Sequence, residues 1–204
     1  MGRRHFDQSH FDQAADLYTQ AIDLDPHCAE AFDKRGACKF NGGEFKASLI
    51  DFDKAIELKS KDAEFWKHRA LAYANLRQFD LAIADFEHAL ELKPADLAPY
   101  HDLLGRIYSN RAAGHAKSER YTEAAEDVTE ALKYSPKTAT YFHQRASCYF
   151  NTKQFETAAV DFTGAIELEP MKASHYLNRG RCWEQLGKDA EAAADFEKAK
   201  SLEK

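Results

Sequence analysis

The sequence lacks the features that mark several large classes of protein. No apolar run approaches the roughly 20 residues that a membrane-spanning helix needs, and no secretory signal is recognisable. No glycine-rich phosphate loop and no motif bearing a catalytic nucleophile occurs. We therefore expect no membrane partner, no catalytic residue and no cofactor, and the chain is not predicted to be an enzyme.

Cysteine is scarce, and its four copies form no CxxC pair, so neither a zinc site nor a redox pair is indicated. The cysteines are expected to be small buried hydrophobes, and an intracellular, reducing compartment, the cytoplasm, fits best. The nine histidines are scattered without an accompanying carboxylate pattern, and no metal site is predicted. The net charge of −6 argues against non-specific binding to nucleic acid.

What the chain does contain is one amphipathic pattern, repeated. In residues 63–96, apolar residues recur at spacings of three and four in two stretches that a short break separates, and Pro94 closes the second stretch. This unit recurs with a period of about 34 residues. The copies occupy residues 29–62, 63–96, 97–138, 139–172 and 173–204, after a partial copy at 1–28.

The repeat resembles the tetratricopeptide repeat, a 34-residue helix–turn–helix whose helices are called A and B. An aromatic residue early in helix A is matched by Phe32, Trp66, Phe142 and Tyr176, and the small residue four positions later by Gly36, Ala70, Gly105, Ala146 and Gly180. The resemblance covers the whole chain. It implies an all-α fold, a right-handed α-solenoid of these repeats forming a single array over residues 1–204.

Two copies depart from the pattern. The partial first copy is expected to hold the second half of a helix A, up to Gln8, and a full helix B from His10 to Leu24; we expect a fragment of a longer protein or a degenerated start. The fourth copy has 42 residues instead of 34. We expect the extra length at the tip, residues 109–120, with each helix one turn longer and the bend at Gly114 and His115.

The expected tip is basic, through Arg111, Lys117 and Arg120. It is either a solvated protrusion or a contact site for an acidic partner. The sequence does not decide between these two interpretations.

An arginine of helix A is followed 16 residues later by an aspartate of helix B in four copies. This fixed separation on two packed antiparallel helices predicts structural ion pairs, because a guanidinium can bind a carboxylate through two donors. In the fourth copy Leu104 stands where the arginine is expected, although Asp127 is present. The predicted pairs are Arg35 with Asp51, Arg69 with Asp85, Arg145 with Asp161, and Arg179 with Asp195.

The resemblance also implies a concave groove, lined by helices A, that binds an extended peptide or a partner's helix. Asparagines repeat at one level of this groove and are expected either to satisfy the local backbone or to hold a peptide backbone. The charges are mixed, so no single ligand charge is favoured. The predicted groove residues are Lys34, Asn41, Lys67, His68, Asn75, Arg106, Asn110, His143, Gln144, Asn151, Asn178 and Arg181.

One branch of the resembled family binds the C-terminal carboxylate of heat-shock chaperones through basic residues and asparagines on three successive helices A. In the first window of this chain, Asp33 and Ala37 stand where that pattern has a basic residue and an asparagine, and the later windows fail as well. A heat-shock chaperone C-terminus is therefore not expected as the partner.

The function predicted is a non-enzymatic scaffold for protein–protein interaction. Two alternatives stay open: the chain is the substrate-recruiting arm of a larger enzyme, or it is a module that self-associates through uncapped ends. The sequence does not name the partner.

Overall fold

The computed structural model describes residues 2–203, with side-chain detail from His10 onward, and over this range it is entirely helical, without a β-strand. This confirms the predicted all-α class and the predicted helix–turn–helix repeat. None of the described helices is both long enough and apolar enough to cross a membrane. The helices are α1 (Gly2–Leu24), α2 (Ala29–Asn41), α3 (Phe45–Leu58), α4 (Ala63–Asn75), α5 (Phe79–Glu91), α6 (Ala98–Lys117), α7 (Tyr121–Tyr134), α8 (Ala139–Asn151), α9 (Phe155–Leu168), α10 (Ala173–Gln185) and α11 (Asp189–Leu202).

The chain divides into two compact units, residues 1–100 and residues 101–204. In the first unit, α2 packs on α3 and α4 on α5; in the second, α8 packs on α9 and α10 on α11. Each of these pairs is the helix A and helix B of one repeat. Alanines at the helix crossings, such as Ala55, Ala89 and Ala165, are fully buried and allow the close approach that the sequence predicts.

The turn from helix A to helix B has the same backbone geometry in five repeats. One residue of each turn has a positive φ, between 59° and 85°. The amide of the next residue donates to a carbonyl five positions back, as Gln78 does to Tyr73 at 2.9 Å, which satisfies a carbonyl left open at the helix end. The residues with positive φ are Gly43, Arg77, Glu119, Lys153 and Gly187.

The first helix differs from the expectation. We predicted a break between residues 8 and 10, but α1 runs without interruption from Gly2 to Leu24. The predicted break contains no residue that stops a helix, since neither glycine nor proline occurs between Arg3 and Asp25. The sequence there continues the helical pattern, and the expected half of a helix A is part of one longer helix.

The extra length of the fourth copy also lies elsewhere than predicted. Helix α6 has 20 residues, seven more than the 13 of α2, α4, α8 and α10, while α7 has the same 14 as α3, α9 and α11. The turn falls at Ser118–Arg120, so Gly114 and His115 lie inside the helix. Residues 109–120 are therefore an ordinary helix end and turn, and the insertion is the first two turns of α6, residues 98–104.

A seven-residue extension preserves the buried face of the helix, because seven residues make almost two full turns. Tyr100 and Leu104 in the extension are accordingly buried. The shift also restores the repeat pattern. Tyr108 occupies the aromatic position of the repeat, and Ala112, not Gly105, occupies the small position. Arg111, not Leu104, occupies the arginine position and bonds Asp127, 16 residues later.

The arginine–aspartate pair therefore occurs in all five of the repeats that make up residues 29–204. Both oxygens of each buried aspartate accept from one guanidinium: in the regular third repeat, Nε and Nη2 of Arg69 donate to Asp85, each at 2.7 Å. The aspartates are between 1% and 6% exposed. The other pairs are Arg35 with Asp51, Arg111 with Asp127, Arg145 with Asp161, and Arg179 with Asp195.

Each of four of these arginines reaches a third helix as well. Nη1 of Arg69 donates to Asp53 in the preceding helix B at 2.7 Å, and Nη1 of Arg179 donates to Thr163 at 3.0 Å. Arg35 and Arg145 contact Thr19 and Thr129 in the same way. One guanidinium thus joins helix A to the helix B of its own repeat and to the helix B of the repeat before. We name this arrangement the arginine bridge.

Removing one member of an arginine bridge leaves a buried charge without its partner. We expect Arg69→Ala or Asp85→Ala to lower the free energy of unfolding by about 3 kcal/mol, and the double variant to cost clearly less than the two single losses together. Urea unfolding of the four proteins measures the coupling. Strictly additive losses would show that the two side chains do not interact.

Candidate functional site

In the second unit, α6, α8 and α10 line two adjoining cavities of about 440 and 270 Å³. The larger cavity lies between α6 and α8, and the smaller lies between α8 and α10 over the ring of Phe162. Ser147 and Asn151 line both cavities, which makes them one groove. We call it the unit-two groove. Its further lining residues are Ser109, Asn110, Ala113, Ala116, Tyr121, Thr140, His143, Gln144, Cys148, Phe150, Asn178 and Arg181.

Six of the twelve predicted groove residues line this groove. Carboxamides dominate among them, and an amide side chain can both donate to and accept from a peptide backbone. No aspartate or glutamate lines the groove within the described part of the chain. The six are Asn110, His143, Gln144, Asn151, Asn178 and Arg181.

The first unit gives a different picture. Lys67 lines a recess of about 640 Å³, together with Pro94, Pro99 and Tyr100. Its ammonium is bonded to Glu64 and lies 5.1 Å from the centre of the Tyr100 ring, so its charge is already compensated. The other predicted groove residues of the first unit line none of the described cavities; they are Lys34, Asn41, His68 and Asn75.

Two predicted groove residues, His68 and Gln144, bond a residue of the preceding helix A. His68 of α4 contacts Asp33 of α2, with Nδ1 2.6 Å from the carboxylate. Gln144 of α8 donates to the backbone carbonyl of Ser109 and accepts from its hydroxyl, at 2.9 and 2.7 Å. Each contact joins successive helices A at positions that differ by one residue within the repeat. Gln144 therefore ties α8 to α6 at the groove as well as lining it.

The asparagines at the predicted level bond their own helix. Nδ2 of Asn75 donates to the carbonyl of Leu71 at 2.9 Å, and Nδ2 of Asn151 donates to that of Ser147 at 2.8 Å. This geometry matches the local-backbone interpretation for both residues. Asn151 also lines the groove, and a carboxamide oxygen can accept from a ligand N–H.

Two fourth-copy residues were assigned through the wrong register. Because α6 is seven residues longer at its start, Arg106 is equivalent to Glu64, the second residue of α4. Its side chain is exposed and does not line the groove. Asn110 does line the groove, but its equivalent in the third repeat is His68 and not Asn75. The 16-residue spacing from Arg111 to Asp127 was the signal in the sequence that gives the correct register.

The corrected register also changes the basic tip. Arg111 is not part of a protruding surface, because its guanidinium is bound to buried Asp127 at 2.6 Å. Only Lys117 and Arg120 of the three predicted residues are exposed near the α6–α7 turn.

One groove-lining histidine, His143, pairs with the buried His175. Nδ1 of His143 and Nδ1 of His175 are 2.8 Å apart, so one ring donates and the other accepts. Burial lowers the pKa of His143 to about 4, and burial also lowers the pKa of His175. Nε2 of His175 contacts Glu169 at 3.3 Å, and the ring of His143 packs edge-on against Phe162.

The cysteines occupy packing positions. Cys148 and Cys182 are buried, and burial raises the pKa of each thiol to about 11, which leaves it protonated and poorly reactive. All four cysteines are free thiols. Within the described residues, no group of three or more side chains of the metal-binding types could hold a metal ion.

Comparison with known families agrees with the repeat geometry. Two models described as tetratricopeptide repeat match the sequence, one over residues 63–96 and the other over residues 1–63 and 154–202. The chain belongs to the tetratricopeptide repeat family. Among curated proteins, no sequence matches this chain significantly.

Many solved structures share this fold. YrrB, described as a tetratricopeptide repeat protein with an unusual peptide-binding site, is 21% identical with a TM-score of 0.62 over 93% of each chain. MamA is 17% identical with a TM-score of 0.63, over 86% of this chain and 91% of its own. The C-terminal part of a repeat protein from Cytophaga hutchinsonii is 14% identical with a TM-score of 0.69, over 98% of this chain and 78% of its own. At these identities the likeness shows the fold.

The histidine pair makes stability depend on pH in a defined direction. Because the folded state depresses the pKa of His143 from 6.5 to about 4, the unfolded chain binds more protons in that interval. The stabilisation is present above about pH 6.5 and is lost as the pH falls towards 4. We expect His143→Asn to flatten this part of the profile, as measured by urea unfolding at several pH values. Parallel wild-type and variant profiles would contradict the assignment.

Proposed function

We propose that the chain is a non-enzymatic interaction scaffold that binds an extended peptide segment, or a partner's helix, in the unit-two groove. The observation that carries the proposal is the groove itself, two adjoining cavities whose lining residues include four carboxamides and no carboxylate. A polypeptide presents N–H and C=O groups in alternation, and carboxamides can pair with both.

The arrangement of rigid and variable positions supports this proposal. The arginine–aspartate pairs occupy the same positions in every repeat from residue 29 onward, which fits a packing role. The groove positions differ between repeats: Ala37, Leu71, Ala113, Ser147 and Arg181 are equivalent to one another. Packing between helices does not require that variation, so the residues at these positions can be selected for ligand binding.

The cellular setting belongs to the same proposal. Four free thiols, two of them buried, suit a reducing compartment, and we place the scaffold in the cytoplasm. The composition, with its net charge of −6, supports a protein ligand over nucleic acid.

Selection from a displayed library of random linear peptides tests the binding function. Peptides enriched on the full chain are synthesised, and their Kd is measured by fluorescence anisotropy. We expect Asn110→Ala and Asn151→Ala each to weaken binding about tenfold, through the loss of one or two hydrogen bonds. Their free energy of unfolding should stay within about 0.5 kcal/mol of the wild type, as expected for surface changes.

Glu197→Ala is the matched control, since Glu197 is exposed on α11 and lies outside the groove. It should alter neither binding nor stability. The proposal is wrong if no peptide is enriched, or if enriched peptides bind the two groove variants and the wild type equally well.

A further inference from the structure

Arg181 differs from the other arginines at the helix-A crossings. The five arginines of the arginine–aspartate pairs are bound to buried aspartates, whereas Arg181 is exposed and has no ion pair among the described residues. Its one hydrogen bond goes from Nη1 to the Oδ1 of Asn178, at 3.3 Å. The guanidinium therefore retains donors that no protein carboxylate satisfies.

The surroundings of Arg181 make its charge dominant in the unit-two groove. The residues that share its cavity are Ser147, Phe150, Asn151, Phe162 and Asn178, all uncharged. The other titratable base in the groove, His143, is neutral near pH 7. A single positive charge thus lies in an otherwise neutral groove, although the whole chain has a net charge of −6.

We infer that the unit-two groove selects a polypeptide segment in which an aspartate or glutamate side chain pairs with Arg181 and a neighbouring apolar side chain packs on Phe150. A guanidinium binds a carboxylate through two parallel hydrogen bonds, which gives geometric specificity as well as affinity. The partly buried ring of Phe150 packs against the core of the unit, so it offers a fixed apolar surface. This inference rests on the proposed function and adds the chemistry of its ligand.

The acidic residue is expected inside the segment and not at its end. Arg181 is exposed at one end of the groove, and from there the channel continues past Ser147 and Asn151 to α6. A chain that fills the channel places its backbone along that line and its side chain against Arg181. Since the equivalent positions of the other repeats are Ala37, Leu71, Ala113 and Ser147, one acidic residue is enough to set the register of the ligand.

Charge exchange tests the inference with the peptides selected on the wild-type chain. We expect those peptides to share an aspartate or glutamate next to an apolar residue. Arg181→Ala should weaken their binding by about tenfold to a hundredfold, the usual effect of losing a hydrogen bond to a charged group. Arg181→Glu should weaken it further, and replacing the acidic residue of the peptide by lysine should restore binding to that variant. Lys198→Ala, an exposed change on α11, is the control and should have no effect.

The outcomes separate this inference from the function on which it rests. Peptide affinity can fall in Asn110→Ala and Asn151→Ala while the peptides show no acidic preference and Arg181→Ala has no effect. In that case the proposed binding function holds and the inferred ligand chemistry is wrong. If affinity depends on a free C-terminal carboxylate and is lost on amidation, an internal acidic residue is wrong. If no peptide is enriched at all, both the function and the inference fail.

Discussion

The arginine bridge is the interaction on which the described repeats depend. A guanidinium has enough donors, in a fixed plane, to bind a carboxylate through two bonds and still reach a third group. Arg69 uses this capacity fully: it binds Asp85 in its own repeat and Asp53 in the preceding helix B, and it lies 4.9 Å from the centre of the Trp66 ring. A lysine offers a single point charge and could not hold three helices in this way.

The bridge also explains which positions of the repeat are free to vary. The guanidinium and the small residue beside it fix the crossing of helices A and B, so the remaining surface of helix A carries no common packing duty. Neighbouring helices A use part of that surface for contacts such as Gln144 with Ser109. What is left in the second unit is a groove of carboxamides with one unpaired guanidinium at Arg181.

The repeat, its helices and most arginine–aspartate pairs could be predicted because they follow from local spacing. A 16-residue separation and a period of about 34 are visible in the sequence without knowledge of the fold. The fourth copy was misplaced because its small residues are ambiguous: Gly105 and Ala112 are seven apart, and a shift of two helical turns presents the same face. The bond from Arg111 to Asp127 decides the register, and its 16-residue spacing is present in the sequence.

Contacts between repeats could not be predicted in the same way. The pairing of His143 with His175, or of His68 with Asp33, depends on how far successive helices A are offset. None of these four residues recurs at the equivalent position of another copy, so no repeated spacing predicts the contacts. The charge balance of the groove was equally hidden. The sequence suggested a mixture of charges, but the acidic side chains lie elsewhere or are bound, and the groove in the second unit is neutral apart from Arg181.

Amide hydrogen exchange with a selected peptide bound tests the central claim most directly, because it locates the ligand without a substitution. The account predicts that binding slows exchange in the C-terminal halves of α8 and α10, around Ser147, Asn151 and Arg181, and leaves α11, which lines no part of the groove, unchanged apart from any uniform stabilisation of the unit. Selective protection of the helices B, with α8 and α10 unaffected, would contradict it.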